Sequence, residues 1–165
     1  MWQVNLYITT DLRGRAKGRG KVVYVLETKK RDGRIHESRP EAAEFQEATE
    51  RRLVLYAIRD AINRLNFACA VTVYTECEYI GSVISQGWLD RRQRNGWQNS
   101  RGREVADAVL WSMLLQDLEE TGHVLAAVAG KHEYSEWMRW ELVAARPNED
   151  TFSPLEKIPG KQADV

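Results

Sequence analysis

Apolar side chains recur at every second position near the start of the chain. Val4, Leu6 and Ile8 alternate with Asn5 and Tyr7, which predicts a strand that runs into Thr9-Thr10 with one face turned to a core. A second strand is predicted over Lys21 to Thr28. A hairpin turn at Arg31-Asp32-Gly33 leads to a returning third strand from Arg34 to Ser38, stopped by Pro40. The period then lengthens: after Thr49, the residues Leu55, Ile58, Ile62 and Leu65 recur at the spacing of one helical face. Ala70 to Thr75, rich in β-branched residues, predicts a buried strand, and a short helix is predicted from Glu78 to Gln86. Beyond a basic segment, a helix is predicted around Val105 to Thr121, ended by Gly122. A strand from Val124 to Ala129 and a last helix from Glu136 to Ala145 complete the pattern. A hairpin meander followed by strand–helix–strand crossovers implies an α/β domain with one five-stranded mixed sheet flanked by helices. The expected division is a folded domain over 1–146 and an irregular tail over 147–165, where Pro154 and Pro159 stand among scattered charges.

Composition narrows this picture only slightly. The 165 residues suit one domain, and 43% hydrophobic with 29% charged residues is ordinary for a globular protein. No apolar run approaches the roughly 20 residues of a membrane span, and Met-Trp-Gln-Val-Asn does not resemble a signal peptide. Cys69 and Cys77 lack metal-ligand spacing and suit packing positions in a reducing compartment. The expectation is a cytoplasmic protein without a membrane partner.

Charge distribution is more informative than its total, since 24 basic and 24 acidic side chains cancel. Arg13, Arg15, Lys17, Arg19 and Lys21 occupy alternate positions in a glycine-rich stretch. Arg91, Arg92, Arg94, Arg101 and Arg103 surround Trp97 and follow Trp88, while acids collect at Glu41 to Glu50 and Asp117 to Glu120. Separated patches of this kind are compatible with contact to a phosphate backbone.

Several strings occur in an order that resembles the type I ribonuclease H family. Val71-Thr72-Val73-Tyr74-Thr75-Glu76-Cys77-Glu78-Tyr79-Ile80 is similar to the family's apolar strand ending in Thr-Asp-Ser-x-Tyr-Val. Trp88 to Trp97, with Arg94-Asn95-Gly96-Trp97 at its end, is similar to the family's basic, tryptophan-bearing protrusion. Val105 to Trp111 is similar to the segment that returns from it, and Thr49 to Leu55 to the start of the first helix. The likeness runs from Val4 to Ala145 and implies a ribonuclease H-like fold.

The resemblance also implies a reaction: hydrolysis of the RNA strand of an RNA–DNA hybrid by a metal-dependent endonuclease. In that family four carboxylates hold two Mg²⁺ (or Mn²⁺) ions. Carried over residue by residue, the acids of the fourth strand and last helix fall on Glu76 and Glu141. Those of the first helix and first strand fall on Val54 and Thr9, with Glu50 one helical turn before Val54 and Asp11 at the same strand parity as Thr9. Asp11, Glu50, Glu76 and Glu141 are therefore the candidate catalytic and metal-binding set. Glu50 has the alternative of complementing the helix dipole, and Asp11 and Glu141 that of solvated surface residues. The family's loop histidine falls on Lys131, beside His132, whose imidazole suits proton transfer. Arg91, Arg92, Arg94, Trp97 and Lys131 are the candidate nucleic-acid contacts. The alternative to an enzyme is a catalytically silent module that binds hybrid or duplex.

Overall fold

A computed structural model describes residues 1–99, 101–103 and 105–144. The tail expected beyond Pro147 lies outside them. The elements are β1 (Trp2–Thr10), β2 (Gly18–Lys29), β3 (Ile35–Glu37), β4 (Glu41–Ala48), α1 (Glu50–Arg64), β5 (Cys69–Thr75), α2 (Glu78–Ser85), α3 (Trp88–Arg94), α4 (Ala108–Thr121), β6 (Val124–Ala129) and α5 (Ser135–Ala144).

The sheet has six strands rather than the expected five. Its order is β3-β2-β1-β5-β6, and β4 pairs with β2 as well. The extra strand is β4, an acidic and alanine-rich stretch whose composition hid an inward pair, Ala43 and Phe45. The long β2 serves both β3 and β4 on one edge: Tyr24 meets Glu41, while Glu27 meets Glu37. β1 is antiparallel to β2 and parallel to β5, and β5 is parallel to β6. The basic segment after Gly87 is helical, as α3.

Strand parity divides the sheet into two faces. Val4, Leu6, Ile8, Val22, Tyr24 and Leu26 join Val71 and Val73 on the face covered by α1 and α4, where Leu53, Leu55, Ile58 and Ile62 are fully buried. Each of those four contributes about 1.5–3 kcal/mol by leaving water. Tyr7, Val23 and Val25 take the opposite face beneath Met138 and Leu142 of α5. Local signals set the ends of the elements. The Thr49 hydroxyl caps α1 by accepting from the Arg52 N–H, and Gly122, at φ 75°, closes α4 in the left-handed region.

Polar clamps join the helical layer. The Arg59 guanidinium grips both oxygens of Asp117 at 2.6 and 3.3 Å, tying α1 to α4 in an environment almost without solvent. The buried His123 accepts from the Cys69 N–H through Nδ1, leaving Nε2 to donate to the Ile62 carbonyl. It thereby pins the start of β5 to the end of α1. Asp117→Ala strands the Arg59 charge in the core and is expected to cost about 3–5 kcal/mol in urea unfolding. The volume-matched pair Arg59→Met/Asp117→Leu should cost much less, because no charge is left buried.

Candidate functional site

The parallel register of β1 and β5 sets Ile8 beside Thr75, so both strands end side by side and Glu76 emerges next to Thr9 and Thr10. Glu50, the first residue of α1, reaches the same place, only 7% exposed. Between them lies Arg13. Its Nη2 donates to Glu76 Oε2 at 2.9 Å, and its Nη1 is 3.7 Å from Glu50 Oε2. Nη1 also donates to the carbonyl and hydroxyl oxygens of Thr10, which folds the guanidinium back over the strand end. The remaining carboxylate oxygens are also met: Glu50 Oε1 by the Gly14 N–H at 3.1 Å, and Glu76 Oε1 by Arg139 Nη2 at 3.3 Å. Glu50 further faces the buried Cys77 thiol, which burial pushes up to about 11.

Of the four expected carboxylates the structure thus joins two, Glu50 and Glu76. Asp11 is turned away. β1 ends at Thr10, so strand parity no longer applies, and the Asp11 carboxylate accepts from the Lys21 N–H at 2.7 Å to close the β1–β2 connection. Glu141 is half-buried but is not the residue that α5 directs at the strand end. Met138 is, and the Thr9 hydroxyl donates to its sulfur at 3.8 Å. Arg139, the next residue, supplies the contact to Glu76. Val54 is a fully buried core residue of α1.

This donor set does not fit a two-ion centre. Mg²⁺ takes hard oxygen ligands. Thr9, a hydroxyl bonded to a thioether, and Val54 stand where the resemblance expects acids, and a guanidinium stands between Glu50 and Glu76. Among the described residues no three His, Cys, Asp or Glu side chains gather as a metal site.

His132 borders the pair on the side of β1. Its Nδ1 accepts from the Tyr134 N–H, and Nε2 donates to the Ile8 carbonyl at 3.3 Å. Burial lowers its pKa from the ordinary 6.5, with the Ile8 carbonyl, Glu76 and Glu133 opposing. Lys131 is exposed on the preceding loop. Arg91 and Arg94 are exposed on α3, while Arg92 turns inward to donate to the Tyr79 hydroxyl at 2.7 Å. The Tyr79 ring also carries a cation–π contact with Arg51 at 3.5 Å, which links α3 to the start of α1. Trp97 is half-buried against the main core, so its ring serves packing. Reasoning from sequence missed Arg13, Arg51 and Arg139 as parts of the site. For Arg13 the signal was its place in the alternating basic run directly after β1.

A mixed sheet whose adjacent parallel strands end at a carboxylate pair, beside a basic helical arm, defines the ribonuclease H-like class of fold. Likeness to known proteins carries this to a family. A family model for RNase H matches residues 3–134. The chain belongs to the RNase H family. It is 40% identical over 76 residues to the ribonuclease H of Caldicellulosiruptor saccharolyticus, covering 46% of this chain and 52% of that one. To the ribonuclease H of Rippkaea orientalis it is 25% identical over 114 residues, covering 69% and 70%. The chain spans about half the length of the first curated relatives it matches. In fold it is similar to LC9-RNase H1, a type 1 RNase H with the type 2 active-site motif, at a TM-score of 0.68 and 19% identity over 87% of this chain and 72% of that one. It is also similar to the foamy viral protease-reverse transcriptase in complex with RNA/DNA hybrid, at a TM-score of 0.59 and 11% identity over 87% of this chain and 19% of that one. No helix among the described residues is long and apolar enough to cross a membrane.

The buried His123 and the half-buried His132 predict a pH dependence. Burial holds His123 and His132 below 6.5, so the unfolded chain binds protons that the folded chain refuses. Their contribution to stability is complete above that value and is lost as pH falls through and below it. Thermal melts from neutral pH down to about 5.5 should show a falling Tm, with a flatter slope in His123→Asn.

Proposed function

We propose that this chain binds RNA–DNA hybrid across the face that carries the strand ends of β1 and β5. One observation carries the reading: cations of the β1–β2 connection and α1 share one groove, and Tyr79 joins it to α3. Arg15 and Lys17 of the β1–β2 connection, with Arg51 and Arg52 of α1, line an open groove beside Thr49 and Asp107, where Arg52 is paired with Asp107 at 2.9 Å. Tyr79 connects this groove to Arg91, Arg92 and Arg94 of α3 through its paired contacts with Arg51 and Arg92. A-like duplexes are recognised by shape, 2′-hydroxyls and phosphates, and cations along an open groove suit that mode. The hybrid held by the foamy viral protein of the same fold agrees with this reading.

A second reading, hydrolysis of the RNA strand, has its own support. The relatives are named ribonuclease H, and Glu50 and Glu76 share one cation beside His132. The two readings part on a direct experiment, in which a labelled hybrid is incubated with wild type and Glu76→Gln in Mg²⁺ or Mn²⁺ while affinity is followed by anisotropy. Binding without cleavage is the expected result. Cleavage that is lost in Glu76→Gln would move the conclusion to hydrolysis, and absence of binding would remove both readings.

The arm makes a separate prediction. Arg91→Ala/Arg94→Ala should weaken hybrid binding and flatten the plot of log affinity against log salt, by roughly one unit of slope for each phosphate left without its cation. An unchanged slope would take α3 out of the interface.

A further inference from the structure

The geometry points to Arg13 as the resident cation of this centre: its guanidinium does the electrostatic work of a divalent metal between Glu50 and Glu76, and the chain engages its ligands without one. Two largely buried carboxylates that share one cation repel each other without a positive charge between them. Arg13 supplies it to both, and Arg139 adds a second charge on the far oxygen of Glu76.

The Arg13 side chain is about half exposed, yet its guanidinium is held by several contacts at once. Thr10 accepts two hydrogen bonds from its Nη1, while the next residue, Gly14, donates its N–H to Glu50. The connection is also held from below. Leu12 packs so closely over Gly20 that a Cβ there would lie 2.6 Å from Leu12 Cδ1 and 2.8 Å from Leu53 Cδ1. Asp11 locks the other side of the connection through Lys21. A divalent ion between the two carboxylates would have to displace a guanidinium already held by Thr10, Glu50 and Glu76, with no help from Thr9 or Val54. It follows that removing the guanidinium, with the carboxylates kept, opens a latent divalent-cation site.

The test uses the full chain without nucleic acid, with Mn²⁺ as the probe at constant ionic strength. In wild type, calorimetric titration should show no saturable binding, and Tm should be equal in Mn²⁺ and in matched KCl. Arg13→Met should gain saturable binding, with Tm rising by about 3 °C for each tenfold excess of Mn²⁺ over its dissociation constant. Arg13→Lys, which keeps a charge there, should behave as wild type, and Arg13→Met/Glu76→Gln should lose the gain. Saturable Mn²⁺ binding by wild type that disappears in Glu76→Gln would overturn the inference, as would an Arg13→Met protein that folds and stays indifferent to Mn²⁺. If Arg13→Met does not fold, the comparison of wild type with Glu76→Gln decides alone. A second arm rests on the hybrid-binding reading. Hybrid affinity should be the same in EDTA and in Mg²⁺ at matched ionic strength, and a dependence on Mg²⁺ of about tenfold would count against the inference. Loss of hybrid binding in every condition would overturn that reading and leave the metal titration to judge Arg13.

Discussion

The parallel pairing of β1 with β5 is the constraint on which the remaining structure depends. Its register runs from Trp2 beside Cys69 to Ile8 beside Thr75, so two segments far apart in sequence stop at the same level. Parallel strands need cover on both faces. α1 and α4 supply it on one side, α5 on the other, and two of these helices bring a charged residue to the strand ends: Glu50 from α1 and Arg139 from α5. The placement of the site is a by-product of burying the sheet. Neither Glu50 nor Arg139 is near Glu76 in sequence, and helix packing delivers them.

Much of this is legible in the chain itself. Alternation in β1, the helical period of α1 and the Gly122 stop each follow from short-range chemistry that tertiary packing then respects. The strand β4 was illegible because its inward residues, Ala43 and Phe45, are few and its outward ones acidic, so pairing with β2 rather than composition makes it a strand. At the site, Glu76 was readable as a charge ending an apolar strand, and Glu50 by helical spacing. Asp11 was misplaced because parity extends only as far as the strand does, and β1 ends one residue earlier. Glu141 follows from an ungapped match of Gly130-Lys131 to the family's Gly-His, which ignores how α5 is turned. The helix instead buries Met138 and Leu142, four apart, and so turns a thioether to Thr9. Arg13 was the hardest to foresee, because its position depends on the chain doubling back across its own strand end.

Thr9 and Val54, which the resemblance sets at the family's acid positions, share a physical direction. A buried Thr9 hydroxyl bonded to sulfur and a valine at position 54 let apolar packing extend to the edge of the site. The two charges that persist are each countered from within the chain. Arginines from within the chain meet both carboxylates, and Arg15 and Lys17 stand exposed beside them. The centre has the makings of a rigid, neutral platform at the middle of a basic face.

The ties of Glu76 to Arg13 on one side and to Arg139 on the other each close 63 residues of chain. Long closures are costly in entropy until the intervening elements have packed, so each tie gains most once its elements are docked. A growing chain would carry an unassembled centre until α5 had emerged and docked. Its neighbouring cations lie between Arg15 and Arg94 and are synthesised well before that point. The Arg139–Glu76 contact is therefore completed only once α5 has docked, which makes it a gauge of whether the last helix has found its place.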